Sequence, residues 1–446
     1  MMKEPLDLPS GSRTRKNLQK QPLELPGGSR PSKSFQKEPI DMPENSEDEH
    51  IAGGIMGLHD NISATTRPLG LLSKSKNLIR HGETAATTRP GRQIIGEPLD
   101  DGQIKGLATL YKDDGTKKLV ASSVGSWKAY DGDSWDEIYS PSPGHNLEGA
   151  MMRDMLILTN GEDEPQKYEG GSSTSDLGGD PPKSPFILSE YSRVFMVNLP
   201  HQLKFTDVGD AEEWEPEEDN DAGVIPINDK DGDKITWLHL YKSNIIIWKR
   251  HSLHELHGPE LGHLSDRWKI FNAANVGTPN GRTVVELNGI MYWLSDTDGN
   301  IGIVQWGGGH PELISQPIKE TIKSINWDYI DQACATTWNG YYVLAIPTGS
   351  SSYADTLIFY NTYDESFWLG DGWYPTSFTT FRIDEQEEVV FGDSNGSVYK
   401  IGGHDDDGQA IMIEAIIGPS TMDINTRKKR VRRCYLAVSI YDEEEL

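Results

Sequence analysis

Short apolar runs come in pairs along this chain, and a turn parts the members of each pair. The first runs are "KKLVASS" from Lys117, "DMLILTN" from Asp154, "SRVFMVN" from Ser192, "NIIIWKR" from Asn244, "GIMYWLS" from Gly289, "GYYVLAI" from Gly340 and "EEVVFGD" from Glu387. The second runs are "WKAYDG" from Trp127, "PQKYEG" from Pro165, "HQLKFTD" from His201, "HSLHELHG" from His251, "IGIVQWGG" from Ile301, "TLIFYNT" from Thr356 and "GSVYKIGG" from Gly396. Helical periodicity is hard to find anywhere. A unit of about 45 residues holding several short strands is what a propeller blade requires. A blade packs both of its faces, so apolar residues need not alternate with polar ones, and "NIIIW" suits such a sheet better than one with a wet face.

A third element recurs, an acidic turn leading to a tryptophan: "GDSW" at Trp135, "AEEW" at Trp214, "SDRW" at Trp268 and "ESFW" at Trp368. Each follows a second run, where an outer strand begins. The expectation is a large ring sealing one blade against the next. The competing reading is a sugar-binding platform. The fold expected is all-β, a seven- or eight-bladed β-propeller preceded by an extended N-terminal arm with three repeats. Seven units fall between Lys105 and Gly403. An eighth blade would be closed jointly by "TTRPGRQIIG" from Thr87 and the C-terminal runs "QAIMIEAII" from Gln409 and "RRCYLAVSI" from Arg432. The organisation reads as an arm over 1–50, a lead-in segment and closing strand over 51–104, blades over 105–403 and C-terminal closing strands over 404–446.

The arm differs in kind from the rest. "KEPLDLPSGSR" from Lys3, "KQPLELPGGSR" from Lys20 and "KEPIDMPENSE" from Lys37 repeat one proline-bracketed block. Proline fixes φ and pushes the residue before it toward extended backbone, so each block is stiff. Two apolar side chains ride on each: Leu6 and Leu8, Leu23 and Leu25, Ile40 and Met42. These are candidate plugs for pockets or sheet edges on a neighbouring subunit. A flexible tail of duplicated sequence is the simpler alternative.

The formal net charge of −27 argues against the body as a general nucleic-acid binder. It suits a surface that must not hold DNA. The 2 cysteines, Cys334 and Cys434, form no disulfide framework and no metal-ligand spacing. With no apolar run of membrane-spanning length and no apolar N-terminal stretch, folding in a cytoplasm is expected.

Several motifs invite a chemical reading. "NLIRHGETAAT" from Asn77 resembles the Arg-His-Gly signature of the histidine phosphatase family, which implies a phosphorylated His81 with Arg80 gripping phosphate. That family needs an α/β frame, and strands stand here where its helices belong. "NDKDGD" from Asn228 and "SDTDGN" from Ser295 begin like calcium loops but lack the closing glutamate, and Asp-Gly is also a favoured hairpin turn. No metal, cofactor or catalytic residue is therefore expected. His254 and His257 read as a blade-surface pair. "RKKRVRR" from Arg427 sets six bases in seven residues. Arg427, Lys428, Lys429 and Arg430 are candidate contacts to an acidic protein surface, with DNA phosphates the alternative.

"KNLIRHGETAATTRPGRQIIG" from Lys76, "SEYSRVFMVNLPHQLKFTDVGDAEEW" from Ser189 and "VIPINDKDGDKITWLHLYKSNIIIWKRHSLHELHG" from Val224 are similar to segments of β-propeller virion proteins of tailed bacteriophages. The resemblance spans most of residues 50–440. It implies a tail nozzle, hub or collar ring component, non-enzymatic, in the virion after synthesis in the host cytoplasm. The implied partners are other tail or connector proteins and further copies in a ring. DNA would lie close without sequence-specific contact, and no small-molecule substrate is implied. A glycan- or receptor-binding tail propeller is the alternative, and a phosphatase using His81 the least favoured one.

Overall fold

The structure, a computed structural model, describes residues 55–417 apart from 63–67, 69, 82–84, 100–101, 219 and 259–267. The arm candidates Leu6, Leu8, Leu23, Leu25, Ile40 and Met42, the basic run from Arg427, and "RRCYLAVSI" lie outside the described residues.

Each paired run of the sequence forms the second and third strands of a four-stranded antiparallel sheet. Among the described residues there are seven such sheets. Blade 1 extends from strand Gly106–Tyr111 to Trp135–Tyr139, and blade 2 from Glu148–Met152 to Ser175–Asp176. Blade 3 extends from Ile187–Glu190 to Gly223–Pro226, and blade 4 from Ile235–Tyr241 to Lys269–Ala274. Blade 5 extends from Val285–Leu287 to Glu312–Leu313, and blade 6 from Cys334–Trp338 to Ser366–Gly370. Blade 7 comprises Pro375–Ile383, Gln386–Asp393 and Val398–Ile401, and its fourth strand is Arg92–Ile94 from before blade 1. The first strands of successive blades pack side by side, with the turn Gly281–Thr283 making the contact between blades 4 and 5, and that of blade 7 packs against that of blade 1. The ring is therefore closed, with the first strands around the axis.

The closing strand decides between seven blades and eight. "TTRPGRQIIG" does close the array, but by pairing Ile94 with Tyr399, Gln93 with Lys400 and Arg92 with Ile401. Once that strand completes blade 7, no open blade is left for it to share. "QAIMIEAII" goes elsewhere: Glu414–Ile417 pairs with Leu72–Lys76 in a separate two-stranded sheet. That sheet and the hairpin of Leu78–His81 with Ala85–Thr88 lie against the outer strand of blade 6.

The core sits between blades. Among the described residues, seven buried apolar clusters each join two neighbouring blades. Blade 3 shows why its first run reads as continuous. Val194 and Met196 face blade 2, whereas Phe195 and Val197 face blade 4. The period of two is present, but both faces are apolar because both are covered.

The four acid-led tryptophans seal these seams. Trp214 joins blade 3 to blade 2, and Trp368 lies between blades 6 and 7. Trp135 packs in the seam of blades 7 and 1. Trp268, at the edge of blade 4, stands 5.4 Å edge-on to Phe195 and 5.7 Å from Phe205 of blade 3. They gather around no common pocket, so the sugar-platform reading loses its motive.

Candidate functional site

Charged and amide side chains meet where the first strands of blades 1, 2, 5 and 6 begin. Arg282 leads into blade 5. Its Nε and Nη2 donate to Glu148 Oε1 of blade 2 at 3.0 and 2.9 Å. Nη2 also reaches the carbonyls of Lys105 and Leu147, at 3.1 and 3.3 Å, where blades 1 and 2 begin. In a ring of seven, blades 1 and 2 stand opposite blade 5, so this one side chain spans the axis.

The local sequence "PNGRT" explains how it gets there. Asn280 caps the short turn Gly281–Thr283, accepting from the Arg282 amide at 3.0 Å. Its Nδ2 donates to the carbonyls of Ile330 and Ala333 of the blade 6 approach, at 2.9 and 2.7 Å. A Cβ on Gly281 would meet the Thr236 carbonyl and the Trp237 side chain at 2.4 Å, so only glycine fits against blade 4. A second bridge lies beside the first. Gln103 donates to Gln332 Oε1 at 2.6 Å and accepts from Lys105 Nζ at 3.0 Å.

Electrostatics follow from burial. Burial pushes the Glu148 carboxyl above its ordinary range, and the Arg282 guanidinium works against it. Burial lowers Lys105, while Asp331 opposes that shift. Cys334, fully buried near Arg282, is pushed up to about 12. The arrangement suits closure of a channel: Nε and Nη2 of Arg282 are already engaged.

The sequence-derived motifs find internal roles. Arg80 pairs through Nε with Asp364 at 3.0 Å and donates to the Ile55 carbonyl at 3.3 Å. It pins the hairpin to blade 6, and no α/β frame surrounds it. In "NDKDGD", both oxygens of Asp231 accept from Lys249 Nζ, at 2.8 and 2.9 Å. Lys249 is fully buried and also donates to the Asn228 carbonyl at 3.0 Å. In "SDTDGN", Asp296 takes two bonds from Arg250, at 2.9 and 2.6 Å. The cation that each acidic turn calls for is thus a neighbouring side chain. Among the described residues no group of acids, histidines or cysteines is arranged to hold a metal. His254 is buried against Ser252, whereas His257 bonds Glu255, so the two do not converge.

Sequence reasoning missed one buried network. Arg89 is 0% exposed and binds Asp406 with both ends of its fork, at 2.9 and 2.6 Å. It also donates to Asn77 Oδ1 at 2.9 Å and to the Pro90 carbonyl at 2.8 Å, and lies 5.5 Å from the Trp373 ring. Asn77 in turn donates to Asp371 and to the Met412 carbonyl, both at 2.8 Å. Gly91 packs where a Cβ would fall 1.7 Å from the Asp405 carbonyl. This clasp ties the lead-in segment, the blade 7 approach and the segment after blade 7 at the point of ring closure.

No protein-family profile matches this chain, and no curated protein does. Solved structures resemble it only distantly. The computationally designed Ika8 protein aligns at 12% identity with a TM-score of 0.41, covering 70% of this chain and 100% of that one. The Pan2 WD40 domain of Neurospora crassa aligns at 9% identity and 0.43, covering 71% and 96%. BamB from Moraxella catarrhalis aligns at 10% identity and 0.45, covering 71% and 99%. At such values nothing of their biology carries over, and the propeller assignment rests on the strand pairing described above. No described helix is long and apolar enough to cross a membrane.

Proposed function

We propose that this chain is a structural, non-catalytic subunit of an assembled particle, of the tail-ring or nozzle kind that its sequence resembles. One observation carries the reading: its chemically conspicuous groups are spent on one another. Arg282 fills the axis, Lys249 fills an acidic turn and Arg80 holds Asp364. A ring braced in this way is suited to bearing load and presenting surface. The net charge of −27 suits a place beside DNA that must slide rather than stick. Because Arg282 bridges the axis, such DNA would pass outside each propeller, through a larger ring of copies. The apolar residues of the N-terminal repeats would dock on neighbouring subunits, and Arg427 to Arg430 on an acidic face.

The test is composition and truncation. Mass spectrometry of purified particles should find the protein at a fixed stoichiometry. A chain lacking residues 1–45 should fold with an unchanged β circular-dichroism spectrum yet fail to enter particles. Absence of the full chain from particles would overturn the proposal. Normal incorporation of the truncated chain would overturn the role of the arm.

A further inference from the structure

Between blades 7 and 1, opposite charges face each other across a groove. The hairpins that join the first two strands of these blades flank it, and it encloses about 470 Å³. That volume lies within the range of small-ligand sites, roughly 300–1,000 Å³. Lys112 and Lys117 line the blade 1 side, and Glu385 and Glu387 the blade 7 side. Arg382, opposite Glu387 in the register, adds a third cation. Tyr111 also lines the groove, 38% exposed. Its ring stacks on Phe381 at 6.2 Å, and its hydroxyl accepts from the Arg382 amide at 3.0 Å. The blade 1 turn is preformed: the Lys112 amide donates to the Thr116 carbonyl at 2.9 Å, and the Thr116 amide to Asp114 at 2.8 Å. The charges themselves are not closed on one another. Lys117 Nζ stands 3.5 Å from Glu385 and Lys112 Nζ 3.8 Å from Asp114, whereas Lys249 meets Asp231 at 2.8 Å. The two longer contacts exceed the reach of a charge-assisted hydrogen bond. Glu385 is 86% exposed, so a ligand displaces it at little cost.

We propose that this groove binds a free amino acid with an apolar or aromatic side chain, in its zwitterionic form. The carboxylate lies against Lys112, Lys117 and Arg382, the ammonium against Glu385 and Glu387, and the side chain over the Tyr111 ring. Charge selects this class. A simple anion approaches a body of net charge −27 and meets two carboxylates in the groove. A simple cation meets two lysines and an arginine. A zwitterion carries no net charge and answers both walls at once, replacing the long Lys117–Glu385 contact with two short ones. Seated there, it also joins blade 7 to blade 1 at the seam where the ring closes. The proposal does not depend on the assembly reading.

Titration calorimetry of the full chain with L-phenylalanine tests it. Saturable one-to-one binding is expected. N-acetyl-L-phenylalanine lacks the ammonium and L-phenylalanine amide lacks the carboxylate, and each should bind at least tenfold more weakly. Lys117→Gln and Glu387→Gln should each weaken L-phenylalanine at least fivefold, with an unchanged circular-dichroism spectrum. The melting temperature should rise with L-phenylalanine concentration and not with either blocked form. No binding at millimolar concentration would overturn the proposal. So would equal binding of the acetylated form, which would make the groove an anion site, or equal binding of the amide, which would make it a cation site. Undiminished binding by both variants would place the ligand elsewhere and overturn it too.

Discussion

Replacing Arg89 by alanine should loosen the ring at its closure. The substitution removes four hydrogen bonds, two of them to Asp406, and the contact with Trp373. Asp406 is left with a carboxylate 14% exposed and no counter-charge. Breaking a buried pair from one side costs about 3–5 kcal/mol, because the remaining charge stays desolvated. That is a large share of the roughly 5–15 kcal/mol that holds a typical domain folded. The assay is urea unfolding followed by tryptophan fluorescence, with Trp373 as a local reporter. The midpoint should fall at unchanged slope if the ring still melts as one unit. Limited proteolysis should find earlier cleavage in residues 85–96, because the closing strand pairs over only three residues. Replacing both partners, Arg89→Met with Asp406→Leu, should restore much of the loss, since no orphan charge remains. A loss below about 1 kcal/mol in Arg89→Ala would refute the clasp as a closing device.

Three further outcomes follow from the same structure. Arg282→Met and Glu148→Gln should each destabilise, by about 2–4 kcal/mol for the arginine, and the double variant should lose less than their sum; additivity in urea melts would deny the bridge. Millimolar calcium should leave the wild-type melting temperature unchanged, because Lys249 and Arg250 occupy the acidic turns, whereas Lys249→Ala should lower it in calcium-free buffer; a wild-type rise with calcium would contradict the geometry. Cys334, held at about 12, should resist thiol reagents in the native protein between pH 7 and 9, since its thiolate forms only as pH rises toward that value; labelling that climbs across this range would place it in a more open site.

What was legible in the sequence was whatever local chemistry dictates. The paired runs announced two strands per blade. Asn339-Gly340 and Asn288-Gly289 make left-handed hairpin turns between such strands, with φ of 46° and 79° and of 54° and 76°. Lys242-Ser243 turns in the same left-handed way, at 47° and 65°, with residues that do not advertise it. There the strands on either side dictate the turn. The sealing role of Trp135, Trp214, Trp268 and Trp368 was readable because a large ring beside an outer strand has few other places to go. The functional groups were harder. Arg282 and Glu148 are 134 positions apart, and Arg89 and Asp406 are 317 apart. Only ring closure brings either pair together. The acidic turns left calcium open as an alternative for the opposite reason: their own residues suggest a metal, while the cations that answer them, Lys249 for Asp231 and Arg250 for Asp296, lie on other elements. The choice of seven over eight turned on one point of pairing, because a single strand from the lead-in segment was enough to finish the seventh.

The central claim is a closed seven-bladed subunit, bridged across its axis, that works by assembling. Electron cryo-microscopy of the intact particle tests it most directly. The account predicts several copies in a ring, each with side-chain density crossing its own axis from Arg282 to Glu148, and any DNA outside the individual propellers. A particle without this protein, or a propeller whose axis is open and holds nucleic acid or another ligand, would contradict it.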